Sequence, residues 1–203
     1  MILTDKDIKK ELGKERDFIS PFVDEHLHSA SYDVTINAIV REIISYSDVV
    51  DLADQDKIDA MYSSVDISDG FIIKPGQYIL CTLNEKVTLP ENVIARVMPR
   101  TRLTRMGLLI AGQFCNPTYS GVLQIGLQNV SPNNIKITKG IAVAQLVFEY
   151  LNGSPSEGKL YRNQKSAAYQ NEIDFIGAKF DNELTGDAKS FYDKLVNKIM
   201  SED

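Results

Sequence analysis

Tryptophan is absent from the 203 residues, and there are only two cysteines and two histidines. Cys81 and Cys115 each sit in an apolar, strand-like run, so they read as reduced core thiols and offer no disulfide framework. His26 and His28 fall in a polar loop without a third nitrogen, sulfur or carboxylate at ligand spacing, which argues against a structural metal. No run approaches the ~18 apolar residues that a membrane span needs, and Met1 to Asp5 carries neither a charged nor an apolar leader region. Basic residues are also in deficit: 22 Lys and Arg against 28 Asp and Glu give a net charge of −6. That balance excludes a general nucleic-acid or membrane-surface binder, so any anion site must be local. A cytoplasmic protein is expected.

What the chain does contain is β patterning. Phe71–Ile73, Tyr78–Leu83, Val93–Met98, Leu108–Ile110, Val122–Leu127, Ile135–Thr138 and Ile141–Leu151 are apolar runs rich in branched residues. Pro75-Gly76, Pro90-Glu91-Asn92, Pro117-Thr118, Ser131-Pro132-Asn133-Asn134 and Lys139-Gly140 separate them, and such punctuation predicts a sandwich or barrel. Ahead of these, Thr4 can cap a helix from Asp5 to about Leu12 that buries Ile2, Ile8 and Leu12, and Ser31–Ile36 reads as a strand. Asp33 lies among its apolar neighbours and reads as structural, because a carboxylate there needs hydrogen bonds. Residues 47–69 carry seven aspartates without the order of a calcium loop; they read as a solvated insertion with a helix near Gln55–Tyr62. Leu184, Ala188, Phe191, Leu195 and Ile199 recur at helical spacing, so Glu183–Met200 should be an amphipathic helix used for packing. The expected organisation is a β domain over 1–180, with 47–69 as its insertion, and a helical extension over 181–203.

The stretch Pro99–Asn129 carries the chemistry. Arg100, Arg102 and Arg105 surround Thr101 and Thr104 at a strand-to-helix junction, a pattern suited to phosphate oxygens. After them come an Asn116-Pro117-Thr118-Tyr119-Ser120-Gly121 turn and an alternating strand that sets Gln124, Gly126 and Gln128 on one face. Gly126 there would let a ligand approach the backbone closely. Gln113 is a further candidate for hydrogen bonds to a base edge.

Taken together, Arg100-Thr101-x-Leu103-x-Arg105-x-Gly107-Leu108, then Phe114-x-Asn116-Pro117-x-Tyr119-x-Gly121 and a strand ending at Asn129, resemble the dCTP deaminase and dUTPase family, dCTP deaminase more closely. Members carry Arg-Ser-Ser-Leu-Ala-Arg-x-Gly-Leu, Ile-Asp-Pro-Gly-Trp/Phe-x-Gly and a strand with Leu-Glu near its end. Ala30-Ser31-Tyr32-Asp33-Val34, Lys74-Pro75-Gly76, Val87-Thr88-Leu89-Pro90, Lys139-Gly140 and Ala144-Gln145-Leu146-Val147-Phe148 agree with it.

The resemblance implies a mainly β, distorted jelly-roll or β-barrel fold with peripheral helices, a homotrimer with active sites between subunits, and a pyrimidine deoxynucleoside triphosphate as ligand. It implies conversion of dCTP to dUTP by metal-free attack of water at C4, with Mg2+ arriving only on the triphosphate. Zinc is not expected, since the His-x-Glu and Pro-Cys-x-x-Cys of zinc deaminases are absent. Arg100, Thr101, Arg102 and Arg105 would hold phosphates, and Gln113, Asn116, Tyr119 and Gln124 would hold base and sugar. Tyr161 and Tyr169 would come from a mobile C-terminal segment whose usual Lys-Tyr-x-x-Gln is matched at Ala168-Tyr169-Gln170-Asn171-Glu172 without the Lys and Gln. Two departures matter. The family's deaminase glutamate falls on Gly126, and the dUTPase aspartate falls on Asn116, and neither residue can act as a base. The readings left open are an active enzyme, a catalytically silent homologue that binds a nucleotide or protein partner, and a β-trimer used only as structure.

Overall fold

The computed structural model describes residues 1–14, 17–44 and 49–180, with Asp193, Lys194, Asn197 and Lys198, which are helical; the rest of the helix expected over 183–200 and the extent of the 181–203 extension lie outside the described residues. Helix α1 (Asp5–Lys14) starts where the sequence places it. Thr4 and Asp7 cap each other: the Thr4 N–H and hydroxyl donate to Asp7 Oδ2 at 3.0 and 2.7 Å. This reciprocal cap satisfies N–H groups that a helix start leaves free. Its buried residues are Ile8 and Glu11, and Leu12, expected inside, is only partly buried; ahead of the helix Leu3 is fully buried, whereas Ile2, expected inside, is half exposed. Ile2 makes an isolated bridge to Glu149, and the alternation of an extended backbone then turns Leu3 inward.

The strands follow as β1 (Ile19–Ser20), β2 (Tyr32–Ile43), β3 (Tyr62–Asp66), β4 (Phe71–Ile73), β5 (Tyr78–Thr88), β6 (Val93–Pro99), β7 (Leu108–Ile110), β8 (Phe114–Cys115), β9 (Ser120–Asn129), β10 (Ile135–Ile137) and β11 (Ala142–Tyr150). One antiparallel sheet has the order β7-β9-β5-β2-β11-β6-β8, with β1 on β5 and β3 on β2, while β4 and β10 form a separate pair. The sheet curls because β2 changes partners along its length. Its Tyr32–Thr35 part pairs with β11 and its Ile36–Glu42 part with β5 across a register shift. Phe18 and Phe148 meet inside at 4.8 Å between ring centroids, amid fully buried Tyr32, Val34, Ile36, Leu83, Ile125 and Leu146. The expected mainly β, dUTPase-like architecture is thus what the chain adopts.

Residues 47–69 are only partly the solvated insertion that their aspartates suggest. Helix α2 is short (Gln55–Asp59), capped by Asp54, which accepts from the Lys57 N–H. The Tyr62-Ser63-Ser64-Val65-Asp66 that follows is β3, registered Tyr62↔Ile43 to Asp66↔Ile39. Its Tyr62 and Val65 favour a strand, and with the edge that β2 offers this outweighs the run of acids. Among the described residues no helix is long and apolar enough to cross a membrane.

Cys81 and Cys115 are free and buried, and burial pushes both thiols up to about 12. A thiol kept protonated is a poor nucleophile. Native protein at pH 8 should leave a disulfide-exchange reagent unreacted, with two thiols released only on denaturation. A fast-reacting thiol in the folded protein would contradict this packing.

Candidate functional site

The site grows from the turn before β9. In Asn116-Pro117-Thr118-Tyr119 the Tyr119 N–H donates back to the Asn116 carbonyl at 3.1 Å. Thr118 has φ +67°, in the left-handed region that a β-branched residue avoids. The C-terminal segment offsets that strain: Thr118 Oγ1 accepts from the Arg162 N–H at 3.0 Å and the Thr118 carbonyl accepts from Gln170 Nε2 at 3.0 Å.

The same segment then runs beside the start of β9. The Asn171 N–H donates to the Ser120 carbonyl, and the Val122 N–H donates to the Glu172 carbonyl, both at 2.7 Å. Gly121 is what permits this approach, since a Cβ there would lie 3.0 Å from the Glu172 carbonyl oxygen and 2.8 Å from the Tyr119 hydroxyl. Further on, Phe175 packs edge-on against Tyr62 of β3 at 5.0 Å and lies under the Arg41 guanidinium at 4.7 Å. The Ala178 N–H donates to the Tyr62 hydroxyl and the Lys179 N–H to the Tyr169 hydroxyl, both at 3.2 Å.

Between this strap and the sheet lies a pocket of about 520 Å³. Six residues anticipated from the sequence line it: Gln113, Asn116, Tyr119, Gln124, Tyr161 and Tyr169. Tyr119 and Tyr161 tilt against one another at 5.8 Å. Thr82 Oγ1 donates to Gln124 Oε1 at 2.7 Å and Gln113 Nε2 donates to the Gln124 carbonyl, while the buried Gln124 Nε2 has no well-aligned partner among the described residues. An unpaired buried N–H is costly, and here it borders a cavity that a ligand can fill.

Tyr62, Tyr78, Phe175 and Glu172 also line the pocket and were not anticipated. Glu172 is buried, and that burial raises its carboxyl to about 7 even though the Ile176 N–H donates to Oε1 at 2.8 Å and opposes the shift. Gln124 opposes it too, from a position that gives no well-aligned hydrogen bond. Tyr78 explains Gly126. A Cβ at Gly126 would sit 2.0 Å from the Tyr78 hydroxyl, so the close approach read from that glycine is made by Tyr78. In addition, the Tyr-x-x-Gln spacing sought around Tyr169 is met at Tyr161-Arg162-Asn163-Gln164, the turn that holds Thr118.

The arginines lie elsewhere in the chain. Helix α3 (Thr101–Arg105) follows β6 directly, with Leu103 inward and Thr101, Arg102 and Arg105 exposed. Arg102 and Arg105 make no ion pair with a described residue. Arg100 is different: its Nη2 pairs with buried Asp33 at 2.6 Å and its Nη1 donates to the Ala142 carbonyl at 3.0 Å. That sets Asp33 in the structural role expected of it and occupies the arginine expected to hold phosphate. Strand β7 joins α3 to the Asn129 end of β9, registered Leu108↔Asn129. Among the described residues that line the pocket none is an arginine.

The fold and pocket define a curled antiparallel sheet with an aromatic and amide-lined cleft closed by its C-terminal strap. Comparison with known proteins makes that class specific. The dCTP deaminase-like family matches residues 2–151. Relatives named dCTP deaminase, dUMP-forming, include one from Beutenbergia cavernae, 30% identical over 175 residues, covering 81% of this chain and 91% of that protein. Another, from Mycobacterium tuberculosis, is 30% identical over 188 residues, covering 85% and 98%. Among solved structures, the 2'-deoxycytidine 5'-triphosphate deaminase of Agrobacterium tumefaciens superposes with a TM-score of 0.60 at 19% identity, over 73% of this chain and 48% of that longer one. The chain belongs to the dCTP deaminase-like family.

Proposed function

We propose that this protein binds pyrimidine deoxynucleoside triphosphates and acts on dCTP, with the pocket between β9 and the C-terminal strap as the base and sugar site. The observation that carries this reading is the grouping of Gln113, Asn116 and Gln124 amides with the Tyr119, Tyr161 and Tyr169 rings in one cavity of nucleoside scale. Among the described residues no basic side chain lines that cavity. In this reading the phosphate charge is met by Arg102 and Arg105 on α3 of a second copy, with Thr101 beside them. A homotrimer with sites between copies is the assembly this reading requires, and exposed Met106, Leu109 and Val130 around α3 and β7 supply apolar surface for it. Magnesium enters with the triphosphate. With Asn116 in place of a carboxylate, dUTP and not dUMP is the expected product.

The test combines calorimetry with dCTP and dUTP, chromatography of products in the presence of magnesium, and light scattering. Charge-assisted hydrogen bonds contribute roughly 1.5–3 kcal/mol each, so Arg105→Ala should weaken dCTP binding by about one to two orders of magnitude. A monomeric protein, or unchanged affinity in Arg105→Ala, would count against the shared site. A silent homologue remains the second reading, favoured by one observation: the Tyr78 hydroxyl fills the space beside Gly126 that a catalytic glutamate would need.

A further inference from the structure

We infer that Glu172, carried into the pocket by the C-terminal strap, is the catalytic residue that moves protons during deamination and replaces the carboxylate missing from β9. This rests on the reading that the pocket takes a cytosine nucleotide. Among the described residues lining the cavity Glu172 is the only carboxylate, and it shares that lining with Gln113, Asn116 and Gln124. Its backbone is fixed by the Val122 N–H and by the neighbouring Asn171–Ser120 hydrogen bond, and the Ile176 N–H holds Oε1. No described donor takes Oε2 in good geometry; the Gln124 side chain approaches the carboxylate, and its Nε2 has no well-aligned partner among the described residues. A carboxylate anchored through one oxygen and open through the other can hold a water, while Gln124 Nε2 can donate to a carbonyl of the ring.

The chemistry closes on these groups. Glu172 accepts a proton from water as the water oxygen bonds to C4, and the ring C4=N3 electron pair moves to N3, which takes that proton from Glu172. The C4 hydroxyl then gives its proton to Glu172, which passes it to the amino group. The C4–N bond breaks with its electron pair leaving on ammonia, and C4=O forms. The sum is dCTP and water giving dUTP and ammonia, with Glu172 returned as a carboxylate.

Burial already sets this carboxyl near neutrality, where one group can both accept and donate. The other titratable groups on the pocket wall are the phenols of Tyr62, Tyr78, Tyr119, Tyr161 and Tyr169 and the Cys115 thiol. Desolvation drives Tyr78, Tyr119, Tyr161 and Cys115 upward, away from neutrality. Arg41 and the Asp59–Lys179 pair lie behind the Phe175 to Ala178 wall.

Full-length protein, Glu172→Gln and Glu172→Asp should be assayed for dCTP affinity by calorimetry and for ammonia and dUTP release between pH 5 and 9. Expected are turnover by the parent with an acid limb near pH 7, and a drop of about 10²–10⁴ in kcat for Glu172→Gln with affinity kept within a few-fold. Partial turnover in Glu172→Asp would add support. The glutamine retains an oxygen for the Ile176 N–H, so the strap stays anchored. Binding without turnover by the parent, turnover indifferent to Glu172→Gln, or no acid limb near pH 7 would each overturn the role of Glu172 and leave the nucleotide site standing. Absence of dCTP and dUTP binding would overturn the site itself and the role with it. If Glu172→Gln fails to fold, the parent's pH profile decides.

Discussion

Gly126→Glu is expected to destabilise the protein by about 3 kcal/mol and to yield no deaminase activity of its own. An ideal Cβ at this position falls 2.0 Å from the Tyr78 hydroxyl, 2.7 Å from Tyr78 Cζ and 2.9 Å from Ala111 Cβ. Atoms cannot share that space, so Tyr78 must swing away and uncover the pocket wall it forms. Gly126 is itself buried, and a carboxylate placed there would be costly without donors. Tyr78→Ala removes the obstacle, so Tyr78→Ala/Gly126→Glu should lose less than the two single changes together, with a coupling of roughly 0.5–3 kcal/mol. Urea denaturation of all four proteins measures this directly. Strict additivity would mean that Tyr78 does not occupy the place the structure gives it.

Much of the fold could be read from the chain because alternation and turn chemistry act locally. The runs at 71–73, 93–98, 108–110 and 141–151 became β4, β6, β7 and β11 with shifts of a residue or two. Where the reading fell short, the cause was distant. β2 continues from Ile36 to Ile43 because β5 and β3 pair with it, and β3 forms inside an acid-rich stretch because β2 offers an edge. Similarly, β5 runs on to Thr88 through a register shift that turns Glu85 inward. There Thr35 satisfies the carboxylate through its N–H at 2.9 Å and its hydroxyl at 2.8 Å. None of these partners is near in sequence.

The site was legible by residue type and less so by geometry. Amides and tyrosines flanking a tight turn pointed to the right cavity, and the mid-strand glycine pointed to a close approach. What approaches is Tyr78, which lies 48 residues earlier, and only strand pairing could reveal it. Glu172 escaped notice because it sits in a polar, irregular segment with no period to place it. The bridge to Gly121 turns it toward the pocket. The arginines illustrate the converse. Their clustering in sequence suggested one cradle, yet Arg100 is drawn to Asp33 across the sheet while Arg102 and Arg105 face outward.

That division of labour makes Asp33→Ala the sharpest test of the scaffold. Asp33 Oδ2 receives Arg100 Nη2 at 2.6 Å and contacts His28 Nε2 at 3.1 Å, and its side chain is 7% exposed. Removing it leaves a guanidinium that is only 22% exposed without its counter-charge. Breaking a buried pair from one side costs about 3–5 kcal/mol, and the partial exposure of Arg100 places this case at the lower end. For a domain of this size about 3 kcal/mol corresponds to a fall in Tm of roughly 6–12 °C. Arg100→Ala should also cost stability, because the Ala142 carbonyl and Asp33 lose their donor. Asp33→Ala/Arg100→Ala should then be more stable than the sum of the single losses predicts. The same variants separate structural from ligand roles: Arg100→Ala should change Tm more than dCTP affinity, and Arg105→Ala the reverse. If Arg100→Ala instead leaves Tm unchanged while abolishing binding, Arg100 belongs to the ligand and Asp33 does not hold it.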